Sequence, residues 1–86
     1  MNAPATVDQS TDILDSIINE MTINYLDQFH EEQHPTDIYR KIIDEIERTL
    51  FSSTMKYTFG NQSKAAVYLG INRATLRTKL KRHGLM

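Results

Sequence analysis

The stretch GNQSKAAVYLGINRATLRTKLKRHG, residues 60–84, decides the fold of the chain. Ala65 and Ala66 lie in a short helical pattern and are small enough for a second helix to approach closely. In the basic segment that follows, Leu76 and Leu80 are four residues apart and share one helix face. Two capping asparagines and a turn glycine punctuate the stretch: Asn61, Gly70 and Asn72. Two short helices joined by a glycine-containing turn are typical of a helix-turn-helix.

Charge is divided unevenly along the chain. Residues 1–55 carry eleven acidic and three basic side chains, a net charge of −8, whereas residues 56–86 carry seven basic side chains and no acidic one. Such a basic segment is typical of a surface that binds a polyanion. The alternative is a solvated basic hairpin, which the glycine turn and the two asparagine caps disfavour. We expect the acidic part of the chain to face away from the polyanion.

A long amphipathic helix is expected near the N-terminus. Apolar residues recur at three- and four-residue spacing from Ile13 to Phe29. Ser10 or Thr11 can cap this helix. The polar residues 1–10 have no periodicity and are expected to form a flexible tail.

A second long helix is expected after Pro35. Thr36 can cap it, and its apolar stripe runs through Met55 to Phe59. Gly60 is the expected C′ residue at its end. Because one chain of 86 residues offers too few partners for two long apolar stripes, we expect the helices of two chains to interdigitate. The residues expected in the dimer core are Ile17, Met21, Ile42, Ile43, Ile46 and Leu50.

The composition excludes several other classes of protein. The chain is 40% hydrophobic and 24% charged and contains no cysteine, so a disulfide framework and a thiolate metal site are excluded. No apolar run approaches the roughly 20 residues that cross a membrane, and the N-terminus lacks the regions of a secretory signal. We therefore predict a cytoplasmic protein with no cofactor, no metal, no small-molecule substrate and no membrane partner.

The segment HEEQH, residues 30–34, matches the His-Glu-x-x-His pattern of zinc metallopeptidases. A zinc hydrolase needs both histidines on one continuous helix and a third protein ligand. Pro35 follows His34 directly and interrupts a helix, and the remaining histidine, His83, lies in the basic tail. We interpret the segment as a polar connector and predict that the chain is not an enzyme. Incidental metal binding by His30 and His34 would not imply a function.

The last helix offers groups that suit DNA. Arg73 lies in its first turn, where the side chain can project from the end that enters a major groove. An arginine matches the O6 and N7 acceptors of guanine, and Asn72 beside it can donate to or accept from a base edge. The other cations and hydroxyls of the two short helices suit phosphate oxygens.

Residues 60–86 resemble the C-terminal end of Fis, the bacterial factor for inversion stimulation, in the stretches GNQSKAA, LGINRATLR and KLK. They are also similar to the DNA-binding domain that ends the NtrC-type activators. The resemblance to Fis continues more weakly over residues 13–59, in NYLDQF and IYRKIIDEIERTL. It implies an all-α fold of four helices per subunit, with an intertwined homodimer core of two long helices and a C-terminal helix-turn-helix. The expected organisation is a tail over 1–10, a dimerisation region over 11–59 and a DNA-binding region over 60–86.

The resemblance implies a nucleoid-associated transcriptional regulator that binds double-stranded DNA at degenerate, often A/T-rich sites. The recognition helices of Fis sit closer together than adjacent major grooves, so the duplex bends and its shape is read. Asn72 and Arg73 match the base-contacting pair. The positions that match backbone contacts are Asn61, Ser63, Lys64, Thr75, Arg77, Lys79 and Arg82.

Two departures from the family pattern limit what the resemblance implies. Thr78 stands where Fis usually has a lysine, which removes support for one phosphate contact per subunit. About ten residues precede the expected first helix, too few for the mobile arm with which Fis of enteric bacteria contacts an invertase. Recombination-enhancer activity is therefore not expected from the resemblance. A helical protein-interaction module and a stand-alone activator-type DNA-binding domain stay open as alternatives, as does a contact with RNA polymerase.

Overall fold

The computed structural model describes residues 5–29 and 35–86, and within these ranges the chain forms four α-helices and no β-strand. The helices are α1 (Ala5–Leu26), α2 (Ile38–Tyr57), α3 (Gln62–Leu69) and α4 (Arg73–Arg82). The prediction of an all-α chain, with two long helices before two short ones, is confirmed. Among the described residues, no helix is long and apolar enough to cross a membrane.

Helix α1 begins at Ala5, several residues before the expected cap at Ser10 or Thr11. Those two residues lie inside the helix, so the predicted cap is wrong. The flexible tail over residues 1–10 stays a prediction. The sequence contains no proline or glycine between Ala5 and Leu26. Nothing local therefore stops the helix from extending toward the N-terminus.

Helix α2 begins at Ile38, so Asp37 rather than Thr36 precedes its first residue. The carbonyl oxygen of Asp37 accepts a hydrogen bond from the backbone N–H of Lys41 at 3.0 Å. Asp37 has a φ of 63°, a left-handed conformation that aspartate adopts more readily than most residues. The expected cap at Thr36 is thus displaced by one residue.

Helix α2 ends at Tyr57 in a Schellman motif. The backbone N–H of Gly60 donates to the carbonyl of Met55 at 2.9 Å, and that of Phe59 donates to the carbonyl of Lys56 at 3.2 Å. Phe59, with a φ of 54°, is therefore the C′ residue that the sequence assigned to Gly60. Phe59 lies beyond the helix and is 96% exposed. The prediction that it belongs to the apolar stripe of α2 is therefore wrong for the single chain.

The chain divides into two compact units, Met1–Ile42 and Ile43–Met86. The boundary falls within α2, whereas the sequence prediction placed one between residues 59 and 60. In the second unit, a buried cluster joins the later part of α2 to α3 and α4; it consists of Phe51, Ala65, Ala66, Leu76 and Leu80. Partly buried residues pack against this cluster: Met55, Leu69, Ile71 and Leu85. The two short helices are thus held on the second half of α2.

Candidate nucleic-acid interface

The turn between α3 and α4 depends on the backbone of Gly70. This residue has a φ of 72°, and its N–H donates to the carbonyl of Val67 at 3.1 Å. The N–H of Ile71 donates to the carbonyl of Ala66 at 3.1 Å, which completes a second Schellman motif. Because nothing lies within 4 Å of the position of a Cβ, the glycine is required for its left-handed conformation and not for close packing.

Both predicted asparagine caps are confirmed. The Oδ1 atom of Asn61 accepts a hydrogen bond from the backbone N–H of Lys64 at 3.0 Å, and that of Asn72 accepts one from Ala74 at 2.7 Å. Each side-chain oxygen is therefore engaged in its helix cap. The Nδ2 group of each asparagine is then the part that can donate to an acceptor outside the protein.

The inner face of α4 is fixed by Leu76 and Leu80, which are fully buried as predicted. They share a cluster with Ala65 and Ala66 of α3, whose small side chains let the two helices pack closely. Because one face of α4 is anchored, the other is turned to solvent. Of the nine residues predicted to contact DNA, eight are exposed; these are Asn61, Ser63, Lys64, Asn72, Arg73, Thr75, Arg77 and Arg82. Lys79 is partly buried.

Two of the predicted phosphate-binding cations form ion pairs with acidic residues of α2. Lys79 Nζ lies 3.0 Å from Glu47 Oε2. Arg82 contacts Asp44 Oδ1 at 2.7 Å through Nη2 and Glu47 Oε1 at 3.5 Å through Nη1. Asp44 and Glu47 thus partly neutralise the basic helix from α2. The expectation that the acidic part of the chain faces away from a bound polyanion stays a prediction. Among the described residues, Arg73 and Arg77 lie in no ion pair.

The ion-pair network extends to His83, whose Nε2 lies 3.0 Å from Glu47 Oε1. The imidazole is only 7% exposed, and its ring centroid lies 6.0 Å from that of Phe51. The hydrogen bonds that Glu47 accepts from His83 and Lys79 lower the pKa of its carboxyl below the ordinary value of 4.5, although partial burial opposes this shift. Glu47 thus stays ionised and ties the end of α4 to α2.

The same residues provide the one group that could hold a metal ion within the described part of the chain. One ligand atom each from Asp44, Glu47 and His83 lies within 4.8 Å of the others. Both carboxylates, however, are already paired with Lys79 or Arg82, whose positive charges oppose a cation at this place. We therefore interpret the group as an ion-pair network. The predicted connector HEEQH lies outside the described residues.

Sequence reasoning missed Phe51 in the core and Asp44 and Glu47 beside α4. A signal for Phe51 was available, because it precedes Met55 by four residues and shares its helix face. Glu47 in turn precedes Phe51 by four residues, which places a carboxylate at the edge of the buried face. No local pattern indicates that Asp44 meets Arg82, because the two residues are 38 positions apart.

A basic helix with a capped, exposed N-terminus, packed across a glycine turn on a shorter helix, defines the chain as a helix-turn-helix protein. The model of bacterial regulatory proteins of the Fis family matches residues 42–83, nearly the same range as the second compact unit. A relative from Psychromonas ingrahamii, called DNA-binding protein Fis, is 40% identical over 82 residues, which cover 95% of this chain and 82% of the relative. The chain belongs to the Fis family.

Other relatives of the same name match a shorter stretch. The protein from Mannheimia haemolytica is 50% identical over 62 residues, and that from Vibrio cholerae is 47% identical over 62 residues. In both cases the match covers 72% of this chain but only 62% of the length of the relative.

Proposed function

We propose that the chain is a homodimeric DNA-binding and DNA-bending protein that regulates transcription from the nucleoid of a bacterial cytoplasm. The observation that carries this proposal is the solvent-exposed face of α4, where Arg73 and Arg77 lie one turn apart beside the capping Asn72. Its relatives are named DNA-binding proteins, which supports the same function. A contact with RNA polymerase stays a prediction.

The base-reading pair is proposed to be Asn72 and Arg73. Arg73 is the first residue of α4, so its guanidinium can reach the edge of a guanine while Asn72 donates through Nδ2. Six further exposed residues and the partly buried Lys79 are proposed to position the protein on the phosphates; the exposed ones are Asn61, Ser63, Lys64, Thr75, Arg77 and Arg82. The first three lie at the start of α3, so phosphate contacts would come from both short helices.

The homodimer is proposed from the apolar side chains that a single chain leaves in solvent. Ile17 is 57% exposed and Leu50 is 49% exposed, and Ile13 and Leu14 are similarly open. Large apolar surfaces of this kind mark interaction sites. Met21, Ile43 and Ile46 are partly buried. Ile42 differs, because it is only 7% exposed within one chain and has little surface left to bury against a partner.

DNA bending is proposed from the resemblance to Fis, whose two recognition helices sit closer together than adjacent major grooves, so that a duplex must bend to meet both. The cost of bending depends on the sequence between the contacted half-sites, so an A/T-rich centre contributes to recognition without base contacts. A circular-permutation gel-shift assay measures the bend. Equal mobility of all permuted fragments would contradict it.

The DNA-binding proposal is tested by fluorescence anisotropy on duplexes with one guanine per half-site, over a series of salt concentrations. We expect affinity to fall steeply with salt, since each phosphate that the protein neutralises releases counterions. Arg73→Ala should cost about 1–3 kcal/mol on the guanine site and relax the preference there. Arg77→Ala is the matched control, because it should weaken all duplexes alike and reduce the salt slope by about two, one for each subunit of the dimer. A salt-independent affinity, or none, would overturn the proposal.

A further inference from the structure

We propose that Asp44 is an internal competitor of DNA, which lowers the affinity of the chain for any duplex by holding Arg82 on α2. This inference rests on the proposed function. Arg82 is one of the cations that the sequence assigns to phosphate contacts, yet both ends of its guanidinium fork face carboxylates. Nη2 lies 2.7 Å from Asp44 Oδ1, and Nη1 lies 3.5 Å from Glu47 Oε1.

A phosphate and a carboxylate compete for the same donors of an arginine. The planar guanidinium binds either anion through the same pair of N–H groups. Arg82 must therefore give up some of its contact with Asp44 before it can bind a phosphate in the same way. Its side chain is 48% exposed, so it has room to move between the two partners.

Of the two carboxylates that contact Arg82, Asp44 is the one that can be removed without disturbing other contacts of α4. Its side chain is 37% exposed, and within the part of the chain that the structure describes its ion pair is with Arg82 alone. Glu47 is 23% exposed and also binds Lys79 and the buried imidazole of His83, so it contributes to the packing of α4 as well. Removing Asp44 therefore takes away the shorter of the two carboxylate contacts of Arg82 and leaves the attachment of α4 through Glu47 in place.

Competition by Asp44 should change the affinity for DNA without changing sequence preference. Arg82 is proposed to contact the phosphate backbone, which carries no sequence information. Asp44 should therefore weaken binding to specific and non-specific duplexes by the same factor and leave their ratio unchanged. An exposed ion pair of this kind changes an equilibrium by about two- to fivefold.

The test compares Asp44→Asn with Glu45→Gln in the dimeric full chain by anisotropy titration. Both substitutions remove one negative charge from neighbouring positions of α2. Glu45 is the matched control, because its partner is Arg48 of the same helix and not a residue of α4. Because the dimer carries the substitution twice, we expect Asp44→Asn to bind both kinds of duplex about 4- to 25-fold more tightly, which is about two- to fivefold for each subunit. Its salt slope should steepen by about two, one for each subunit, and Glu45→Gln should change affinity by less than about 1.5-fold.

A double-mutant cycle with Arg82→Gln completes the test. In that background Asp44→Asn should have no effect on affinity, because the competing donor is gone. Equal gains for Asp44→Asn and Glu45→Gln would reduce the effect to overall charge and overturn the inference. Weaker binding by Asp44→Asn, or a gain that persists without Arg82, would overturn it too. The wild-type protein separates this inference from the proposed function. If it binds DNA with an affinity that falls steeply with salt, DNA binding stands even where the results for Asp44→Asn overturn the competition. If it does not bind DNA, both the proposed function and the competition are overturned.

Discussion

Substitution of Leu50 by alanine should weaken the proposed homodimer while leaving the single chain folded. Leu50 is 49% exposed in one chain, so about half of its side chain is available to a partner. Complete burial of a leucine side chain stabilises by about 1.5–3 kcal/mol, and half of that is about 0.7–1.5 kcal/mol. In a twofold-symmetric dimer the substitution occurs twice, so the association free energy should fall by about 1.5–3 kcal/mol.

This loss corresponds to a rise in the dimer dissociation constant of about 10- to 150-fold, since each 1.4 kcal/mol is a factor of ten. The alanine keeps its Cβ, so the lower part of that range is expected. Leucine and alanine have similar helix propensities, and α2 itself should therefore persist. Sedimentation equilibrium over a range of concentrations measures the dissociation constant, and circular dichroism checks the helix content.

Val67→Ala is the matched control for Leu50→Ala. Val67 is 75% exposed, but it lies on α3 and outside the predicted dimer core. It should leave the dissociation constant within about twofold of the wild-type value, since scattered exposed apolar residues contribute little. Two results would refute the reasoning: wild-type protein that stays monomeric at every concentration, or equal dissociation constants for Leu50→Ala and Val67→Ala.

Two further substitutions test the second unit. Leu76→Ala removes a fully buried side chain and should lower the free energy of unfolding by about 3 kcal/mol in a urea titration; a loss below about 1 kcal/mol would contradict its place in the core. Glu47→Gln tests the ion-pair network through the pH dependence of the free energy of unfolding. Because the pKa of Glu47 is lower in the folded chain than the ordinary 4.5, its ionised form stabilises the fold above pH 4.5, and this contribution is lost as the pH falls through the folded pKa. The wild-type protein should thus be more stable than Glu47→Gln at pH 7, with the gap closing below pH 4.5; a gap that is independent of pH would be inconsistent with this assignment.

The features that could be predicted from the sequence are those set by a few neighbouring residues. Asn61 and Asn72 each cap a helix that begins at the next residue, and Gly70 adopts the left-handed conformation that its turn requires. Leu76 and Leu80 are buried because their four-residue spacing puts them on one face of α4. These signals act within one helical turn, so no knowledge of the rest of the chain is needed to read them.

Helix ends without such a signal were predicted less well. The residues before the first apolar repeat contain serine, threonine and aspartate, which can cap a helix but can also lie within one. The helix therefore extends past Ser10 to Ala5 without any local conflict. At the end of α2, Phe59 and Gly60 both adopt positive φ, and a preference for glycine at C′ assigns the wrong one of the two.

The ion pairs between α2 and α4 could not be predicted from the charge pattern, because ion pairing is decided by the packing of helices and not by position along the chain. The sequence places seven cations and no anion in residues 56–86. The fold nevertheless brings Asp44 and Glu47 against Arg82 and Lys79, across 38 and 32 positions. These carboxylates partly neutralise Lys79 and Arg82 near the C-terminal end of α4, whereas Arg73 and Arg77 form no ion pair with any residue that the structure describes. Arg73 and Arg77 therefore need not leave a carboxylate of the described residues before they bind DNA, whereas Lys79 and Arg82 must exchange one anion for another.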